Sequence, residues 1–508
     1  MGSFFGFFID EPDLIFGGRG EDKDPRIGLR QFGPYYSSSE EAPSPSQIRV
    51  GIIGTGETLT LAKQLISSLR NRIQSDESNH WLYPDFPGFS MDTSVKSELI
   101  NTERWNPIIT HNEISRILAI TDANERIAAA SLLYFNKLQS VRLEDDQPQV
   151  VICTLPKLIE EHCGISRKTR GAKIPKFTEL EKRVASLKDL NQSFLTDWGI
   201  SESDLLSTEP DKDYDLHNSM KGRAMATGIP IQILRESSTR AFLDYKEKRQ
   251  GQNQATFAWN FSMGLYYKAN GRPWRLAKLM PGTCYIGISF YRNVRNPNQS
   301  IESSMAQLFT HSGEGFVLRG SDVIVDERTR EPHLSEIQSE NLLRDVLKKY
   351  VAKTGTSPTR VVIHKTSEFC SAETSGFGRV LEGMRRDFVS IRRSTALRVV
   401  RGGDYPVLRG TVIQLTSREY LLFTGGYIPR LRTYPGHKVP EPLQIMHDGD
   451  SDAETICREI LGLTKLNWNT TSFSTNRPIT LEFASRVGAI LSELQEEKPT
   501  QDHYRFYM

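Results

Sequence analysis

The sequence predicts an α/β protein of two lobes, each a sheet covered by helices, and three observations carry that expectation. The chain has 508 residues, too many for one small core, so two or three domains are the natural division. Its first half alternates apolar strand-like runs with amphipathic helical ones. Its second half opens on successive strands and only then turns to a long helix and another buried strand.

The opening, MGSFFGFFIDEPDL, is apolar but short, lacks a basic leading region and runs directly into acids, which makes a poor signal peptide. Gly6 stands where a myristoylation motif requires Ser or Thr. No apolar run approaches membrane-spanning length, so a cytoplasmic protein without a membrane partner is expected. After an irregular Gly- and Pro-rich stretch comes a buried strand, IRVGIIGT, and a helix, ETLTLAKQLISSLRNRI. A helix NERIAAASLLYFNKLQSV, a strand QVVICTLP and a short helix KLIEEHC follow. This strand–helix–strand rhythm implies a parallel sheet, a Rossmann-like lobe. A polar stretch, roughly 164–212, is expected as an excursion from it. In DLHNSMKGRAMATGIPIQIL, Asp215 to Leu234, a helix is broken by Gly228 and Pro230, and PIQIL forms a strand.

From Thr283 the texture changes. TCYIGISFYR and SMAQLFTHSGEGFVLRG have the pattern of consecutive strands. The helix SEIQSENLLRDVLKKYVAKTG leads into the buried strand TRVVIHKTS. Further strands are expected in RVVRGGDYPVLRGTVIQLT and EYLLFTGGYIP, and helices near DAETICREILGLTK and TLEFASRVGAILSELQEE close the chain. Strands, then a helix, then a parallel strand suit an RNase H-like domain.

Composition narrows the function. A formal net charge of +2 gives no overall basic field, so any polyanion site must be a local gathering of Lys and Arg. The five cysteines, Cys153, Cys163, Cys284, Cys370 and Cys457, are odd in number and lack CxxC spacing, which argues for a reducing compartment and against zinc or a disulfide framework. VGIIGTGET, with Gly51, Gly54 and Gly56, does not follow the GxGxxG order that brings backbone to a pyrophosphate; a tight strand-to-helix turn is expected, and no nicotinamide cofactor.

His217 and Lys221 lie one helical turn apart on one face and can present two donors to one oxyanion, with Gln232 adding a neutral donor. An exposed amphipathic helix ending at a Gly-Ile-Pro turn is the plainer alternative. WNFSMGLYYKANGRPWRL follows, and the order H…K…Q…N…K…G.PW resembles the guide-binding pocket of Argonaute proteins. In that family the MID domain holds the 5′ phosphate of a guide strand with a Tyr or His, Lys, Gln and Lys set, which His217, Lys221, Gln232 and Lys268 match. A further family Lys falls on Gly264, and Asn260 with NGRPW fits the surrounding pattern. The strings EPDLIFG, GLRQFGPY, FPGF, PTRVVIHKT, LRGT, LFTGGYIP, LTKLNWNT and the terminal YRFYM are similar to short prokaryotic Argonautes, and their common order makes the resemblance specific. It implies a MID domain over 1–260, with the N-terminal segment, followed by a PIWI domain over 261–508, and no N or PAZ domain. It also implies that the Met508 carboxylate docks beside the guide phosphate, with a structural Mg²⁺ between them; that ion favours such oxygen ligands.

PIWI domains that cut use a carboxylate set to hold two metal ions. Matched to the family's strings, the three positions fall on Ser289, Thr366 and Ser485 (or Arg486), none of which supplies the charge that offsets two divalent ions. The chain is therefore expected not to cut by itself, with Glu368 the neighbour that would have to compensate. Arginines gather in GMRRDFVSIRRSTALRVVRGGDYPVLRGT, where Arg392, Arg393 and Arg409 are expected to contact nucleic-acid backbone. The resemblance implies a guide RNA, a complementary single-stranded DNA target, and a partner protein joining an APAZ region to a TIR or Sir2 NADase effector, in defence against plasmids or phage. A nuclease as the partner effector, or a chain that is itself a guide-directed nuclease, is the alternative.

Overall fold

The computed structural model describes residues 5–36, 44–164, 215–245, 252–291, 302–309, 315–319, 324–325, 331–393, 397–436, 439–493 and 501–508. The polar stretch expected as an excursion lies almost wholly outside them. The chain starts with β1, Phe5–Phe8. Helix α1, Pro25–Phe32, begins at Asp24, whose carboxylate accepts from the amides of Arg26 and Ile27, with Pro at the first helical position where no amide is needed.

The first lobe is built from β2 (Gln47–Ile53), α2 (Gly56–Leu69), β3 (Glu98–Ile100), α3 (Ala123–Arg142), β4 (Val150–Leu155), α4 (Leu216–Ala224) and β5 (Ile231–Arg235). Its strands run in the order β3-β2-β4-β5, all parallel, with Ile52 opposite Ile152 and Ile152 opposite Gln232. β4 is buried at every position, as a strand with cover on both faces must be. Val50 and Ile52 face one core with Leu59 and Leu65, while Ile53, Val151 and Cys153 face a second with Tyr134 and Leu138. The VGIIGTGET turn caps α2 through the Thr55 hydroxyl, which accepts from the Thr58 amide. A Cβ on Gly54 would fall 1.8 Å from the Thr154 hydroxyl, so the glycine lets strand and helix close on each other.

Helix α5, Gln254–Lys268, leads to the second lobe. There follow β6 (Thr283–Tyr291), β7 (Glu302–Phe309), β8 (Gly315–Arg319), α6 (Glu336–Thr354), β9 (Arg360–Lys365), α7 (Ser371–Val380), β10 (Arg385–Arg393), β11 (Thr411–Gln414), β12 (Glu419–Leu422), β13 (Leu443–Gly449), α8 (Ala453–Leu463) and α9 (Ile479–Leu491). The nine-stranded sheet has the order β1-β11-β12-β13-β10-β9-β6-β7-β8, with β9 parallel to β6 and β10. β1, from the start of the chain, is thus an edge strand of the second sheet, and the division expected at residue 260 falls inside α5. Of the strands expected within 398–416 only β11 forms, whereas β10 and β13, unexpected from the sequence, pair antiparallel at the centre of the sheet. No helix among the described residues is long and apolar enough to cross a membrane.

One buried cluster ties together three of the short strings singled out in the sequence. Glu11 accepts from Arg409 Nε at 2.8 Å and Lys465 Nζ at 2.7 Å. Arg409 also donates to the Thr464 hydroxyl at 2.7 Å, and Trp274 Nε1 donates to the Lys465 carbonyl at 2.8 Å. Burial pushes the Glu11 carboxyl up, but Arg409 and Lys465 outweigh it and hold it below the usual carboxylate range. Glu11→Ala leaves two buried cations without their carboxylate, and a loss of ~3–5 kcal/mol is expected. Urea unfolding of the variant against the parent chain measures it, with Glu11→Gln expected to fall between.

Candidate guide-phosphate pocket

The pocket forms where α4, β5, α5 and the chain's last residue meet. The Asp215 carboxylate caps α4 by accepting from the Asn218 amide, which sets His217 on the first turn and Lys221 one turn further on. Gly228, at φ 73°, ends the turn and lets β5 start at Ile231. Lys221, 1 % exposed, donates its ammonium to the Ile231 carbonyl and to the terminal oxygen of Met508. Lys268, the last residue of α5 and equally buried, donates to Gln232 Oε1 at 2.5 Å. A Cβ on Gly264 would lie 3.7 Å from the same Gln232 oxygen, so the glycine leaves that flank open. Asn260 is a brace elsewhere, accepting from the Thr471 amide at 2.8 Å.

The C-terminal tail is held along its length. Tyr504, Phe506, Tyr507 and Met508 are buried, the Tyr504 ring stacks on Phe483 of α9, and the Asp502 carbonyl accepts from the Val317 amide of β8 at 2.8 Å. The structure therefore brings Lys221, Gln232, Lys268 and Met508 together, with His217 half-buried beside them on α4.

The electrostatics are unbalanced. Burial pushes the Lys221 ammonium down to about 7, against a smaller upward pull from Cys153. Burial, reinforced by Lys221, drives Lys268 far below the ordinary lysine range, and its hydrogen bond goes to a neutral amide. His217 is pushed down to about 3 by burial and by Lys221, Lys268 and Arg486. Arg486, on α9, is a neighbour of this pocket that the sequence did not assign to it. Two buried ammonium groups, one on a carboxylate and one on a neutral amide, suit an anion with several oxygens.

The strand ends of the second lobe are the other expected site. Ile288 pairs with Lys365, which puts Ser289, two residues before the end of β6, next in line with Thr366, just past the end of β9. α9 crosses close by: a Cβ on Gly287 would fall 2.1 Å from the Thr480 carbonyl, and His364 Nδ1 lies 2.8 Å from the Thr480 hydroxyl. Ser289 is buried; Thr366 and Ser485 are exposed. The acids around Thr366 are taken by the chain's own cations. Arg392 lies 2.8 Å from Glu331 and 3.4 Å from Glu368, and Lys365 donates to both Glu373 oxygens at 2.5 and 2.6 Å. Among the described residues His333, Cys370 and Glu373 bring ligand atoms within 4.8 Å of one another, but the Lys365 ammonium already sits against Glu373 and 3.3 Å from His333 Nδ1.

The arginine run does not form one surface. Arg385 and Arg386 start β10 while Arg392 and Arg393 end it, ~26 Å away at strand spacing. Arg393 is exposed, and Arg392 is half-buried in its ion pairs. The expectation for Arg409 is corrected: it is 3 % exposed and clamped by Glu11 and Thr464, a structural residue that no phosphate can reach.

No protein-family model and no curated protein matches the sequence. Solved structures match its fold. Clostridium butyricum Argonaute bound to a guide DNA and a 19-mer target DNA superposes with a TM-score of 0.61 at 13 % identity, over 96 % of this chain and 53 % of that one. The fold is Argonaute-like. A. aeolicus Argonaute gives 0.53 at 13 % identity, over 97 % of this chain and 54 % of that one. Drosophila Piwi gives 0.56 at 12 % identity, over 99 % and 56 %. The chain spans about half the length of these Argonaute structures. Its parallel sheet and its nine-stranded mixed sheet together match the α/β fold of Argonaute MID–PIWI structures.

An anion entering this pocket raises the depressed lysines back toward their charged form, so binding takes up protons where they are neutral in the free protein. For a 5′-phosphorylated strand bound here, the part of the affinity that comes from Lys221 is fully present below its free-state value, about 7, and is lost as the pH rises through it. A decline of up to about tenfold per pH unit is expected between roughly pH 7 and 9, with the phosphate itself fully ionised above its own value of about 6. Anisotropy titrations across that range check this, a 5′-hydroxyl strand serving as the flat control.

Proposed function

We propose that this Argonaute-like chain is a guide-dependent nucleic-acid sensor: it holds a short 5′-phosphorylated guide RNA and recognises complementary single-stranded DNA without cutting it. The observation that carries this reading is the buried pair of ammonium groups, Lys221 and Lys268, around one terminal carboxylate and one amide. A terminal phosphate supplies the charge that the pocket lacks. A bound Mg²⁺ would supply positive charge to offset anionic oxygens, and the Met508 carboxylate, which here accepts from Lys221, is the residue that would help hold it. Sequence reading is left to the guide's base pairing while the protein holds backbone and ends. Backbone contact is assigned here to Arg393, exposed at the end of β10, since Arg392 is held in ion pairs with Glu331 and Glu368.

The absence of cutting is supported by the neutral side chains at Ser289, Thr366 and Ser485 and by the pairing of Glu331, Glu368 and Glu373 with Arg392 and Lys365. An output other than cleavage then requires a partner. The resemblance to short prokaryotic Argonautes points to an APAZ-bearing protein with a TIR or Sir2 NADase effector, switched on by target pairing. Target can act on that partner only through contacts that differ between guide-bound and duplex-bound states.

Two outcomes check this reading. Lys221→Ala should weaken binding of a 5′-phosphorylated guide by ~1.5–3 kcal/mol and a 5′-hydroxyl guide far less; equal losses on both would remove Lys221 from the phosphate site. In the purified complex with its partner, NAD consumption should be low with guide alone and rise with added target, which stays intact in Mg²⁺ or Mn²⁺. A guide-positioned cut in the target would make the chain a nuclease instead, and activity indifferent to target would show that it is not the sensor.

A further inference from the structure

Two exposed rings differ in what covers them. Trp81 is 44 % exposed, but the Arg432 guanidinium already lies over it, 5.6 Å from its ring centroid. Tyr405 is 42 % exposed and is covered by a ring on one side: it stacks on Tyr427, with centroids 4.3 Å apart and planes 26° from parallel. The other face of the Tyr405 ring is turned to solvent.

The stack is held from behind. Pro406 confines the preceding Tyr405 to extended backbone. The segments that carry the two tyrosines are laced together: the Tyr427 amide donates to the Val407 carbonyl at 2.9 Å, and the Arg409 amide donates to the Tyr427 carbonyl at 3.1 Å. Arg409 is in turn clamped by Glu11. Arginines flank the ring. Arg401, exposed, donates its Nε to the Tyr405 carbonyl at 3.3 Å, and Arg393 is exposed at the end of β10. Arg398 is taken by Glu441 at 2.6 Å, and the exposed Asp404 offsets one of the remaining charges.

We propose that the outer face of Tyr405 is a stacking platform for one unpaired base of a single nucleic-acid strand, with Arg401 on the neighbouring phosphate. Every base has a flat face that such a ring accepts whatever the sequence, and the guanidinium supplies a salt-sensitive backbone contact. Because the ring is already stacked and its backbone fixed, little side-chain freedom is lost on binding. The site rests on the reading of this chain as a nucleic-acid binder. It does not rest on the 5′-phosphate pocket, which other residues form.

An abasic scan tests it. A short 5′-phosphorylated single strand, and a set of strands each lacking one base, are titrated by anisotropy into the full parent chain, Tyr405→Leu and Tyr405→Phe, with thermal midpoints checking that each is folded. Tyr405→Leu should weaken binding of the intact strand about five- to hundredfold. Tyr405→Phe, which keeps the ring face, should bind as the parent does. At one strand position, loss of the base should weaken the parent by a similar factor and weaken Tyr405→Leu no further. Arg401→Ala should lower the salt dependence of affinity by about one phosphate contact. A Tyr405→Leu chain that binds the intact strand as tightly as the parent, or losses that add at every abasic position, would overturn the platform while leaving the guide reading in place. Binding that ignores Lys221→Ala would count against the phosphate pocket alone, and a parent chain that binds no strand would overturn both.

Discussion

The interaction on which the rest depends is the bond between the Lys221 ammonium and the terminal oxygen of Met508. It is buried, it joins the first lobe to the chain's last atom, and it fixes the tail that runs back over the second lobe. Along that tail Asp502 pairs with Lys349 at 2.7 Å and bonds the edge of β8, so one short segment links the pocket to the far edge of the nine-stranded sheet. Burying an ammonium is costly, and a terminal carboxylate is the nearest charge that offsets it.

Several other buried cations differ from these two lysines in their partners. Arg409 and Lys465 both bond Glu11; Lys365 bonds Glu373; Arg360 bonds Asp387 at 2.7 Å and Glu459 at 2.5 Å. Each of those cations meets a carboxylate directly, and each cluster holds strands or loops in place. Lys268 meets an amide, and Lys221 shares a carboxylate that belongs to a chain end. The first kind of site is complete as a structure. The second lacks a carboxylate for Lys268, whose ammonium is driven down by burial and by Lys221, and this is the deficit that the proposed phosphate would fill.

Much of this was legible in the sequence where a local signal exists. The helix that carries His217 and Lys221, its Gly228 stop and the strand with Gln232 follow from capping and breaking residues, and they form where expected. The short strings also proved structural in a way that spacing alone does not reveal: EPDLIFG, LRGT and LTKLNWNT converge on Glu11, Arg409 and Lys465. That convergence explains the misplacement of Arg409, because a run of arginines looks alike whether its carboxylate is absent or lies 398 residues away. β1 was missed for a related reason. Four residues with glycine among phenylalanines carry no pattern of their own, and only the register against β11 makes them a strand. β10 was hidden by its charged ends, although its middle, Phe388 to Ile391, is buried.

The most direct test of the account is the chemistry of whatever the pocket holds in the cell. The chain, expressed with its native neighbours and purified, should carry short nucleic-acid strands whose 5′ ends are monophosphates, and the Lys268→Gln chain should lose them. Strands with 5′-hydroxyl ends, or no bound nucleic acid in the parent chain under conditions that preserve its fold, would contradict the claim that the buried lysines are arranged for a terminal phosphate.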